Sequence, residues 1–221
     1  MSMPQSYLPA ARCTARRMLS ILALSLLLGS CSLPLLQRQA AEQPIHSYLL
    51  EWQGAGAPQD GNRTGPVLLV SPILAAPGFD GSDMAYLRKP HEIEYFASHR
   101  WVDAPARMLD PLLVMAAEQS GLFRSVAGTS SGTNADLRLD SKLIHLQQVC
   151  RLDPSELQLA LRVTLVEVAS ARVIASRTLS VSEPLEVRTP YAGVEAANRA
   201  LSRLLAELQG FLVEQVRTSR R

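Results

Sequence analysis

His91-Glu92-Ile93-Glu94-Tyr95, with His99 shortly after, is the densest run of side chains able to hold a metal ion or move a proton. A zinc-protease helix needs two histidines four positions apart so that both imidazoles meet one ion. Here Tyr95 stands where the second histidine belongs. In an extended segment Glu92 and Glu94 share one face and His91 takes the other, so a charged, solvated strand is the simpler reading. Gly54-Ala55-Gly56 follows a strand-like stretch. The third glycine of a dinucleotide loop is misplaced, however, and Pro58 occupies the helix start. The sequence contains no G-x-S-x-G elbow and no P-loop. Neither a catalytic residue nor a metal site is expected, and no soluble cofactor.

Thiol chemistry is better supported. Arg12, Arg16 and Arg17 precede the apolar run Met18–Leu28. That run is far shorter than the ~20 residues that cross a bilayer, and with its basic flank it reads as a secretory signal. Leu28-Gly29-Ser30-Cys31 then resembles the bacterial lipobox. There the leucine and the two small residues fit the groove of the lipoprotein signal peptidase, which cuts before a cysteine. The expected product has Cys31 at its N-terminus, carrying a thioether-linked diacylglyceryl group and an N-acyl chain. Arg16-Arg17 could suggest a twin-arginine signal, but the flanking consensus is poor and ordinary export is the expectation. Ser32 rather than Asp after the cysteine suggests sorting to the periplasmic face of the outer membrane, with the inner membrane as the alternative. Cys13 leaves with the signal, so Cys150 has no partner for an internal bridge and is expected to be a buried, inert thiol.

Composition narrows the rest. The chain has 221 residues, 47% of them hydrophobic, with 22 basic and 20 acidic side chains and a formal charge of +2. It is too apolar for a disordered tail, and its arginines are scattered rather than gathered into a nucleic-acid footprint. Residues 1–30 read as signal, 31–44 as a Pro-containing tether reaching at most ~45 Å, and 45–221 as one domain.

Within that domain, Ser47–Trp52 reads as a first strand, and Val67–Val70 as a strand covered on both faces. Met84–Tyr95 reads as two extended pieces around Pro90. Asp103 is placed to cap a helix with Pro105 in its first turn, Pro111 should kink it or delay its start, and Gly121 should end it. Phe123–Ala127 and Leu137–Leu146 read as strands, the second with a bulge where the apolar phase moves from Leu139 to Ile144. Leu157–Leu165 and Val173–Val181 alternate as an antiparallel hairpin. Val194, Ala197, Leu201, Leu204, Leu205, Leu208, Leu212 and Val216 line one face of a final helix. The expected fold class is α+β, in two layers: a mixed, mostly antiparallel sheet with two long helices packed on it.

One stretch carries a family likeness. Ala75-Ala76-Pro77-Gly78-Phe79, Met84-Ala85-Tyr86, Glu94-Tyr95-Phe96, His99-Arg100-Trp101, Pro105-Ala106-Arg107-Met108-Leu109 and Gly121-Leu122-Phe123 follow one another. The series resembles the ABC-type transport auxiliary lipoproteins, including the paraquat-inducible protein C type, over about residues 46–216. The resemblance implies a non-catalytic periplasmic lipoprotein. Its expected partners are an MCE-domain protein and an ABC permease/ATPase complex that moves lipids between the membranes, with a homo-oligomer also compatible. Tyr86, Arg88, Tyr95, Phe96, Arg100 and Trp101 are the candidate partner interface, because aromatics beside arginine anchor interfaces. The competing role for the aromatics is core packing. Two other functions share the same outline: an outer-membrane assembly or enzyme-activating lipoprotein and, less in keeping with the residues, a periplasmic hydrolase.

Overall fold

Leu137–Val149 is the spine of the molecule. In the computed structural model, which describes residues 44–54, 64–128 and 134–218, this strand has different partners on its two sides. The strands in chain order are β1 (His46–Tyr48), β2 (Val67–Val70), β3 (Leu74–Ala75), β4 (Asp83–Lys89), β5 (Glu92–Trp101), β6 (Ser125–Gly128), β7 (Leu137–Val149), β8 (Glu156–Glu167) and β9 (Arg172–Pro184). Helix α1 (Pro105–Gln119) lies between β5 and β6, and helix α2 (Pro190–Thr218) closes the order. One edge of β7 takes three parallel strands in succession: β2 at Leu137–Leu139, β3 at Lys142–Leu143 and β4 at Gln147–Val149. The other edge pairs antiparallel with β8 over its whole length, and β8 pairs with β9. The long ladders are therefore antiparallel and the short ones parallel, in an α+β fold. The signal segment, the Leu28-Gly29-Ser30-Cys31 motif and the tether to residue 43 lie outside the described residues, as do loop residues 55–63.

The period-two pattern of β7 to β9 sets the sheet's inner face. Leu139, Leu143, Leu159, Leu161, Val163, Leu165, Leu179 and Val181 are buried together. The expected bulge falls between Leu143 and His145 and carries the apolar phase to Leu146. Every apolar position expected on the last helix is buried in α2, which packs on β8, β9 and α1. Burying a leucine contributes roughly 1.5–3 kcal/mol, so this stripe holds the second layer in place.

Three local expectations change. Asp103 is not the cap of α1. Pro105 restricts Ala104 to an extended backbone (φ −56°, ψ 132°), which makes Ala104 the N-cap. Asp103 instead accepts the Ala104 N–H at 2.7 Å and pairs with Arg107. Pro111 does not delay the helix, which begins at Pro105 and runs past it. The first strand is shorter than expected, because the chain beyond Tyr48 turns to α2. There Asn198 accepts the Glu51 N–H through Oδ1 at 2.7 Å. Gly121 does end α1, with φ at +65°.

Candidate interaction surface

Strands β4 and β5 form an antiparallel hairpin turned at Pro90-His91, where His91 has φ +65°. The register pairs Ala85 with Tyr95 and Tyr86 with Glu94, then slips before Asp83 meets Arg100. This irregularity places Tyr86, Phe96 and His99 side by side. The Tyr86 and Phe96 ring centroids are 4.4 Å apart, and Phe96 meets His99 edge-on at 6.2 Å. Strand β1 runs parallel to β5 over His99–Trp101, which stacks His46 on His99 at 4.9 Å and Tyr48 on His99 at 5.9 Å. Tyr191, at the start of α2, reaches Tyr48 at 6.1 Å. The result is one continuous row of rings drawn from three strands and a helix.

Cations and carboxylates sit along the row. Arg88 lies 5.6 Å from the Tyr86 ring centroid, within cation–π range. Its Nε donates to Glu94 Oε1 at 2.8 Å, and Tyr86 Oη donates to Glu94 Oε2 at 3.0 Å. Those bonds hold the Glu94 carboxyl below its usual range, chiefly through Arg88. Burial and the hydrogen bond to Glu94 push the Tyr86 phenol up. Glu92 pairs with Lys89 at 3.2 Å. Both carboxylates are thus engaged with cations rather than aimed at a common point. Among the described residues no group of three His, Cys, Asp or Glu side chains could hold a metal ion.

Tyr95 is 41% exposed, and its hydroxyl donates to the Gly78 carbonyl at 3.0 Å. Gly78 has φ +86°, and a Cβ there would stand 3.3 Å from the Tyr95 oxygen. The glycine of the Ala-Pro-Gly turn and the tyrosine of the following strand therefore fit each other, which is why both residue types are needed. Arg100 is exposed. Trp101 is not on the surface: at 2% exposure it belongs to the core, and its backbone N–H donates to the Ser82 carbonyl at 2.8 Å. Its place in the candidate interface is corrected accordingly, since no partner could touch it without unfolding the hairpin.

One face of the hairpin therefore brings together Tyr86, Arg88 and Phe96, while Tyr95, paired with Ala85, lies on the opposite face beside Gly78 and Arg100 is exposed further along. The Tyr86 face also recruits Tyr48, His46, His99 and Tyr191, which sequence reading left out. Their only signal was the aromatic or imidazole side chain itself; the parallel β1–β5 pairing that gathers them joins residues about fifty positions apart. On its outer edge β5 is paired by β1 only at His99–Trp101, so Ile93–Ser98 carry no strand partner there among the described residues.

A family model described as the ABC-type transport auxiliary lipoprotein component matches residues 48–209. A crystal structure of a Xanthomonas campestris protein, from a family of unknown function, superposes with a TM-score of 0.70 at 22% identity, covering 78% of this chain and 97% of that one. A second crystal structure, of an uncharacterised protein, superposes at 0.60 with 11% identity, covering 77% and 99%. Both show the likeness of fold. No curated protein matches the chain.

Proposed function

The chain belongs to the ABC-type transport auxiliary lipoprotein family, and from that premise we propose that it is the non-catalytic, lipid-anchored subunit of a transport system. In this reading an MCE-domain protein and its ABC permease/ATPase complex move lipids between the inner and outer membranes. The observation that carries it is the family match across residues 48–209, from β1 through most of α2. Cys31 is the anchor, bearing the diacylglyceryl and N-acyl chains after cleavage at Leu28-Gly29-Ser30. More than one acyl chain is what stable membrane attachment requires. The tether holds the folded domain close to the periplasmic face of the outer membrane. The β4–β5 hairpin meets the partner through its exposed aromatics and arginines, since exposed aromatics next to guanidinium groups dominate interface energetics.

In-cell photocrosslinking from position 95 tests this directly. The expected product is a covalent adduct with an MCE protein. Adducts with a β-barrel assembly factor or a peptidoglycan synthase would move the protein to the envelope-assembly class instead. Cys31→Ser should give a soluble or uncleaved protein while leaving the domain folded. A processed, membrane-bound Cys31→Ser protein would remove the anchor from the reading.

A further inference from the structure

Beyond the hairpin's outer surface, a cleft of about 490 Å³ opens between the C-terminal end of β7 and the start of α2. Its walls are Tyr86, Phe96, Cys150 and Gln148, with Arg88 and Arg188 among its lining residues. Gln148 is the anomaly. It is 2% exposed, and its Nε2 donates to the Pro190 carbonyl at 3.4 Å. Its Oε1, also buried, has no hydrogen-bond partner among the described residues. A buried acceptor left open costs on the order of 1–3 kcal/mol, and Gln148 would not be kept for packing alone where Leu or Met would do. The amide orientation is fixed by the carbonyl it faces, so the open atom is an acceptor and wants an N–H or O–H.

The charges define the rest of the ligand. Arg88 is neutralised by Glu94. Among the described residues Arg188 has no ion-pair partner, and one of its N–H groups donates to the Leu152 carbonyl at 3.3 Å. A guanidinium, a recessed acceptor and a pair of rings thus belong to one cleft. The apolar part of the wall is two rings and a thiol, room for one apolar side chain.

We propose that this cleft binds the C-terminal end of an extended peptide, with its carboxylate on Arg188, its last amide N–H on Gln148 Oε1, and an apolar last side chain against Tyr86 and Phe96. Arginine suits a terminal carboxylate because its planar fork can donate two parallel hydrogen bonds. The cleft shares Tyr86, Arg88 and Phe96 with the proposed partner-facing surface, but peptide binding is read separately from the crosslink to an MCE protein.

The test uses the full acylated protein in neutral maltoside micelles and fluorescein-labelled pentapeptides ending in Phe or Leu, as free acids and as carboxamides. Fluorescence anisotropy should show the free acids binding and the carboxamides at least about tenfold weaker. Arg188→Gln, an exposed change, should weaken the free acids by about tenfold or more. Gln148→Met should weaken them severalfold without lowering the melting temperature, because it removes the open acceptor along with its bond. Equal affinity for acid and amide overturns the proposal, as does an unaffected Arg188→Gln protein or no peptide binding up to about 1 mM, at the limit of weak recognition. Arg188-dependent binding of dihexanoyl phosphatidylglycerol without peptide binding would replace it with a lipid ligand.

Discussion

Arg88 and Glu94 face each other across the β4–β5 hairpin, and Tyr86 Oη donates to the same carboxylate at 3.0 Å. One acidic side chain therefore fixes both the guanidinium and the ring at the centre of the candidate surface. Arg88 holds the Glu94 carboxyl below its ordinary range. The pairing is thus present at neutral pH and is lost only as the pH falls through that lowered value, below the unfolded value of about 4.3. Both groups are solvent-reachable, so their contribution is to placement more than to stability.

Glu94→Gln should separate those two roles. It keeps the size of the side chain but loses the charge that positions Arg88. We expect crosslinking from position 95 to fall severalfold while the melting temperature barely moves. An unchanged crosslink yield would show that the partner does not read the Arg88–Tyr86 arrangement. A large drop in melting temperature would show that the pair holds the hairpin together.

Trp101 and Tyr95 should behave oppositely on truncation. Trp101, 2% exposed and in the core cluster, should lose about 3–5 kcal/mol of unfolding free energy as Trp101→Ala. Tyr95→Ala removes an exposed ring and one bond to Gly78, so urea unfolding should shift by about 1 kcal/mol or less. Equal losses for both would mean that the hairpin's outer face is also part of the core.

Gly193→Ala probes the floor of the cleft. A Cβ at Gly193 would stand 1.8 Å from Gln148 Nε2, so the Gln148 side chain must leave its pocket. Overpacking of this kind costs about 1–3 kcal/mol. Gln148→Ala in the same chain makes room for the methyl group and should recover most of that loss. A chemical-denaturation double-mutant cycle reads the coupling. Strict additivity would show that the two side chains do not compete for the space.

Much of this architecture was legible beforehand because its periods are unambiguous. The alternation of Leu157 to Leu165 and of Val173 to Val181 permits only a half-buried hairpin, and the Leu201–Leu212 stripe only an amphipathic helix. The bulge at Ile144 showed as a phase slip in the apolar pattern. What escaped was whatever depends on distant pairing. Nothing near His46 or Tyr48 signals that they will lie alongside His99, because parallel pairing carries no local turn signature. Arg199 and Arg203 lie on the exposed side of α2, and nothing near them in the sequence points to a shared carboxylate. In the fold both turn to Glu183, which is 8% exposed at the end of β9, with Arg203 Nη1 at 2.6 Å. Trp101 was misplaced because an aromatic beside arginine looks the same in sequence whether it faces a partner or the core. The Gln148 cleft was invisible for a similar reason: an unpaired acceptor is a property of the packed neighbours, not of the residue.

Acid sensitivity should come from histidines held neutral inside the fold. His145 follows the β7 bulge with its ring 6.4 Å from Phe79, and burial lowers its pKa from the usual value of about 6.5. His99 is lowered too, first by burial and then by the charge of neighbouring His46. As the pH falls below about 6.5 the unfolded chain takes up protons that the folded chain resists. Unfolding is then favoured, and stability present at pH 7.5 is progressively lost down to the depressed folded values. The melting temperature should therefore decline between pH 7.5 and pH 5. His145→Gln should flatten that decline whatever its effect on absolute stability, and His145→Gln/His99→Gln should flatten it further. Should the double variant keep the full pH dependence, the proton uptake belongs to another group and burial of these two rings is not what makes the fold acid-sensitive.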